Sequence, residues 1–197
     1  MRVLGVDPGS RFMGYGVVEE RRGRLVHVGH GVIKVDPDAP LEQRLMVLHT
    51  ELAHAIALYK PAAVAVEGLF TFRNARSALV LGHARGVALL AASQAGLSVH
   101  EYAPSRVKKA VGAGGADGKD AVARMVRIVL QMPELAHERA DSSDALAVAL
   151  CHLNLHRGAL ASGAAQPAQK SGARGKKGAF AHLEGRLSPS YKRPEAG

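Results

Sequence analysis

Four acidic residues stand where acids can do chemistry together: Asp7, Glu67, Asp141 and Asp144. Asp7 ends an apolar run just before a Pro8-Gly9 turn, and Glu67 ends another just before Gly68. Functional sites in α/β sheets collect at the carboxyl ends of strands. The two side chains therefore converge if their strands are neighbours. Asp141 and Asp144 lie three apart at the start of a helical pattern, which places them on one face. A helix packed on that sheet edge adds both acids to the same spot. Singly, each has a plain structural explanation. Asp7 could belong only to a turn and Glu67 could be a strand-end charge. Asp141 could be an N-cap and Asp144 a first-turn acid favoured by the helix dipole. The joint pattern carries more weight, because all four map to one edge of one predicted sheet.

Grouped carboxylates need compensation. Two charges about 4 Å apart repel by about 4 kcal/mol at an effective dielectric of about 20. Such a cluster must take up protons or cations. An all-oxygen set suits Mg²⁺, with Mn²⁺ as a substitute. Two such ions, roughly 3.5–4 Å apart, activate a water and stabilise the leaving oxygen of a phosphodiester. The sequence has no Cys/His arrangement with zinc spacing, and Cys151 is its single cysteine.

Other residues suit a polyanionic substrate. Lys108 and Lys119 flank a glycine-rich stretch at 112–118, where a lysine could neutralise a phosphate or its developing charge. Phe70 and Phe72 stand in a Phe-Thr-Phe-Arg-Asn stretch. They could pack in a core, or an exposed ring could stack on an unpaired base for about 1–3 kcal/mol. Arg73 and Arg76 lie three apart and could hold phosphates or form a solvated helix face. His83 and His152 read as structural.

The elements that must position these residues follow from periodicity. Residues 2–6, 13–18 and 24–35 read as an antiparallel meander, with Arg22-Gly23 at the second turn. Leu41, Leu45, Leu48, Leu52, Ile56 and Tyr59 recur at three and four, an amphipathic helix stopped by Pro61. Residues 62–66 form a short run buried on both faces, as in a parallel sheet. A helix over 77–92 follows; Gly82 and Gly86, four apart, fit close packing on the sheet or across a two-fold axis. A fifth strand at 97–101 leads to a short helix at 104–110. Further helices are marked by Val122, Met125, Val126 and Val129 and by residues 141–157. Hairpins first and crossovers later imply an α/β fold: a mixed five-stranded sheet flanked by helices. This is the order of the ribonuclease H-like fold.

Composition agrees with a nucleic-acid partner. The chain has 197 residues, a net charge of +9 and a pI of about 10.1, which favours polyanions. Residues 158–197 carry seven Lys/Arg against two acids and lack periodicity. They read as a basic, disordered tail beyond a nuclease domain at 1–157. No apolar run approaches the roughly 20 residues that span a bilayer. The N-terminus reads as a strand rather than a signal peptide, and one cysteine precludes an internal disulfide. A cytoplasmic setting with no membrane association is expected.

The segments Gly5-Val6-Asp7-Pro8-Gly9, Val66-Glu67-Gly68-Leu69-Phe70, Gly82-His83-Ala84-Arg85-Gly86 and Asp141-Ser142-Ser143-Asp144-Ala145-Leu146-Ala147 resemble, in order and spacing, the RuvC family of bacterial Holliday-junction resolvases. The resemblance covers roughly residues 1–157. It implies a ribonuclease H-like homodimer that nicks four-way junction DNA symmetrically with Mg²⁺, in recombination and repair. It also implies partnership with a RuvAB branch-migration motor. The four acids match the family's catalytic carboxylates. Lys108 and Lys119 match lysines acting near the cleaved phosphate, and Phe70 matches a junction-facing aromatic. Ala121 departs from the pattern, standing where a Gln is usual.

Two other readings compete. Actin-type and sugar-kinase ATPases share the early Asp-x-Gly hairpin but need two such lobes, and this chain has length for one. A DNA-binding module with a decayed site is opposed by the intact set of four acids.

Overall fold

The computed structural model describes residues 1–68, 75–113, 120–132 and 140–161. Five strands and five helices follow in the order β1 (Arg2–Asp7), β2 (Phe12–Arg21), β3 (Arg24–Lys34), α1 (Leu41–Tyr59), β4 (Ala63–Glu67), α2 (Ala75–Gln94), β5 (Ser98–Tyr102), α3 (Pro104–Ala110), α4 (Ala121–Leu130) and α5 (Ala140–Ala161). All these residues lie in one compact unit, Met1–Ala164.

The sheet order is β3-β2-β1-β4-β5. β1 pairs antiparallel with β2, and β2 with β3. β4 runs parallel to both β1 and β5. The mixed five-stranded sheet expected from element order is therefore the observed one. Arg22 and Gly23 join β2 to β3 with φ of 50° and 78°. Positive φ at both central residues is the two-residue hairpin turn whose twist matches the flanking strands.

The pleat sends alternate residues to two cores. On one face Leu4, Val6, Val17, Val64 and Val66 meet α1 and α2 through Leu48, Leu52, Ile56, Ala84 and Ala88. On the other, Val3, Val18 and Ala65 meet α3, α4 and α5 through Val107, Val126, Leu146 and Leu150. Burying one such Leu or Val stabilises by about 1.5–3 kcal/mol. α1 ends where its spacing predicts. Lys60 takes a left-handed conformation, its N–H bonds the Ile56 carbonyl, and Pro61 cannot continue the helix.

One expectation needs correction and another is narrowed. α5 runs to Ala161, four residues past the expected end at 157, because 158–161 continue the helix. Gly82 and Gly86 do not seat α2 on the sheet: a β-carbon at either would meet nothing within 4 Å. α2 packs through Ala84, Ala88, Ala91 and Ala92 instead, a different face of the same helix.

Candidate active site

Asp7 and Glu67 end neighbouring parallel strands. Val6 is registered with Val66, which brings the next residues, the two acids, side by side. Both follow the pleat face of Val3, Gly5 and Ala65, the side covered by α5. The approach of α5 depends on three glycines on that face. A β-carbon at Gly5 would overlap the Ala145 carbonyl oxygen, and one at Gly14 the Asp141 carbonyl oxygen. One at Gly16 would stand 2.7 Å from the backbone nitrogen and Cγ of Leu146. Gly5 and Gly16 are cross-strand partners, as are Asp7 and Gly14. The first turns of α5 thus lie on bare backbone, which sets Asp141 and Asp144 beside Asp7 and Glu67.

Electrostatics shows how crowded the group is. Asp7 is pushed up to about 8, first by burial and then by the charges of Glu67, Asp144 and Asp141. Near neutral pH the pair therefore retains a proton, through which Asp7 and Glu67 bond to each other. Glu67 is raised by burial and by Asp144, while the Asp7 bond and the Lys108 ammonium pull it down. Asp144 is raised by burial and by Asp141, again opposed by Lys108. Lys108 is exposed on α3, so its charge reaches the acids from the solvent side.

Among the described residues, no three acidic, histidine or cysteine side chains converge on one ion-sized point. Asp7 and Glu67 face each other through a shared proton, and a cation must displace that proton and draw the acids together. The donor chemistry fits a hard divalent ion: oxygen ligands only, crowded enough to retain a proton well above the carboxylate range. Arg76 is exposed in the first turn of α2. Phe70, Arg73 and Lys119, with most of the glycine-rich stretch, lie outside the described residues. Ala121, at the start of α4, is 6% exposed and packs in the α5-side core. His152, on the inner face of α5, is 2% exposed, in keeping with a structural reading.

Sequence reasoning missed the glycine seat. The available signal was Gly5, Gly14 and Gly16 inside strands, where glycine marks close backbone approach.

The model of the family described as crossover junction endodeoxyribonuclease RuvC matches residues 3–152, a span that contains all four acids. The crossover junction endodeoxyribonuclease RuvC of Myxococcus xanthus (strain DK1622) is 71% identical over 196 residues, covering 100% of both chains. That of Syntrophotalea carbinolica is 52% identical over 152 residues, 77% of this chain and 93% of its own. Among solved structures, Thermus thermophilus RuvC matches with a TM-score of 0.72 and 37% identity, over 80% of this chain and 96% of that one. The same protein in complex with a Holliday junction substrate matches with a TM-score of 0.72 and 35% identity, with the same coverage. The yeast mitochondrial Holliday junction resolvase, at 10% identity and a TM-score of 0.57, shares the fold. The fold is ribonuclease H-like, and the chain belongs to the RuvC family of crossover junction endodeoxyribonucleases.

Proposed function

We propose that this junction endonuclease works through a carboxylate centre of Asp7, Glu67, Asp141 and Asp144 that binds Mg²⁺, with Mn²⁺ as a substitute and two ions per site. The observation that carries the reading is the register of β1 on β4, with the start of α5 seated on Gly14. Together they draw acids from three elements to one edge. When bound, such ions activate water and stabilise the leaving oxygen of a phosphodiester. The chain's own residues hold the ions and place the phosphate. Lys108 lies near enough to Glu67 and Asp144 to act on both, so it can also neutralise a phosphate there. We assign Lys119 the same role from across the glycine-rich stretch. Phe70 is assigned to stacking on a junction base, and Arg73 and Arg76 to backbone phosphates.

The substrate is four-way junction DNA in recombination and repair, nicked symmetrically on two strands. A homodimer suits this, since two-fold symmetry places one centre on each of two equivalent strands. The outer face of α2 supports it. Leu79 is 66% and Leu90 49% exposed, and Gly82 and Gly86 stand open between them. A RuvAB-type branch-migration motor completes the proposed assembly, in the cytoplasm. No helix among the described residues is long and apolar enough to cross a membrane.

The test is cleavage of a synthetic four-way junction with Mg²⁺, with Asp7→Asn as the control. Paired symmetric nicks from the parent and none from the variant are expected. A junction left intact while linear duplex is cut would overturn the reading.

A further inference from the structure

The second half of α5 grips the segment that delivers Lys108. The Tyr102 hydroxyl, at the end of β5, lies 2.7 Å from Nδ1 of His152. Burial pushes the phenol up to about 12 and the imidazole down to about 4. Both are neutral near pH 7, so a single hydrogen bond joins the hydroxyl and Nδ1, its direction set by the imidazole tautomer. Asn154 donates from Nδ2 to the Ala110 carbonyl at 3.0 Å. Ala110 is the last residue of α3, where helix carbonyls have no partner within the helix. The Cys151 thiol lies 3.9 Å from the Arg106 carbonyl oxygen, one turn earlier. These contacts fall on both sides of Lys108.

α3 has only seven residues and no side-chain cap at its start. A helix that short does not hold itself in water, so its orientation is set by what grips it. The gripping helix is the one that carries Asp141 and Asp144. Tyr102 is also the strand partner of Glu67, and the Gly68 N–H bonds its carbonyl at 2.8 Å.

We propose that Tyr102, His152 and Asn154 are positioning residues for cleavage, locking α3 to α5 so that Lys108 stays at the edge where the four acids meet. This rests on the four-acid reading of the site. The residues act through Lys108 and touch no substrate.

The test uses the full chain on a four-way junction with Mg²⁺. Asn154→Leu should lower kcat about tenfold or more, as small misplacements at a site do, with KM within about twofold. His152→Leu should behave alike. His152→Asn, whose side-chain amide can accept or donate in place of Nδ1, should recover most of the rate. The deciding measurement is a double-mutant cycle: in a Lys108→Met background, Asn154→Leu should cost no more than about twofold. An equal loss in both backgrounds overturns the proposal, as does a His152→Asn variant as impaired as His152→Leu. If His152→Leu does not fold, the Asn154–Lys108 cycle decides alone. Full cleavage by Asp7→Asn would instead sink the four-acid reading. Additive losses beside an inactive Asp7→Asn would sink only the positioning role.

Discussion

Gly14 lies directly against the backbone of Asp141, with no room between them for a β-carbon. Gly14 is also the cross-strand partner of Asp7. One backbone position therefore sets the height of α5 above the sheet, and with it the approach of Asp141 and Asp144 to Asp7. Gly14→Ala should lift the start of the helix. Overpacking of this kind costs about 1–3 kcal/mol, which a domain of this size survives. Junction cleavage should fall further, by about 10²-fold, because the acids lose their mutual placement. Gly158→Ala, whose β-carbon would meet nothing within 4 Å, should leave cleavage unchanged and stabilise α5 by up to about 1 kcal/mol. Parent-like cleavage by Gly14→Ala would show that helix seating does not place the acids.

Asp7 links the site to stability. Its carboxyl titrates near 8 in the folded chain, through burial and the neighbouring acids, against about 3.9 when unfolded. Between those values the folded chain holds a proton that the unfolded chain has released. Stability of the metal-free protein therefore falls as pH rises from about 4 to about 8. Glu67 and Asp144, also raised, act in the same direction. Asp7→Asn removes the largest of these costs. Without metal it should melt above the parent at about pH 8, with the gap closing toward about pH 4. Saturating Mg²⁺ should reverse the order, because the cation stabilises the parent's intact set. Scanning calorimetry across that range reads both effects. A gap independent of pH would mean that Asp7 is not crowded in the folded chain.

Which parts of this were legible in sequence follows from what side chains reveal. α1 is delimited by its three-and-four spacing, which begins at Leu41, and by Pro61 after it, and the observed Leu41–Tyr59 agrees. The strand-end positions of Asp7 and Glu67 become a pair once β1 and β4 are neighbours. Gly5, Gly14 and Gly16 gave no periodic signal, because a residue without a side chain marks a close approach and not its partner. The same limit left Gly82 and Gly86 open between the sheet and a two-fold axis, because their spacing permits a close neighbour but does not name one. The Tyr102–His152 bond joins residues 50 apart; no local pattern encodes it.

The outer stripe of α2 makes the dimer testable. Leu79, Gly82, Gly86 and Leu90 fall at intervals of three and four, on one face of the helix. Two copies crossing there would meet through open glycines flanked by exposed leucines. Leu79→Glu should weaken self-association by more than about tenfold in analytical ultracentrifugation, since it buries a charge at the contact. The fold should be unchanged, because Leu79 is exposed in the single chain. On a junction, the variant should leave one strand nicked where the parent leaves two. A variant that stays dimeric at low protein concentration would move the interface elsewhere.

The basic tail is expected to act on affinity rather than chemistry. Residues 162–197, which lie outside the described residues, hold all seven Lys/Arg and both acids assigned to the tail. Each phosphate neutralised contributes about 0.9 to the slope of log K against log salt on duplex DNA. If the tail binds DNA by releasing counterions, deletion after Ala161, where α5 ends, should flatten that slope by several units. Affinity should drop most at low salt and converge with the parent at high salt, where screening removes the tail's share. Cleavage of saturated junction should stay within about twofold, because every acid of the centre is retained. Binding isotherms over a salt series decide it: an unchanged slope after deletion means that the tail contributes no phosphate contacts.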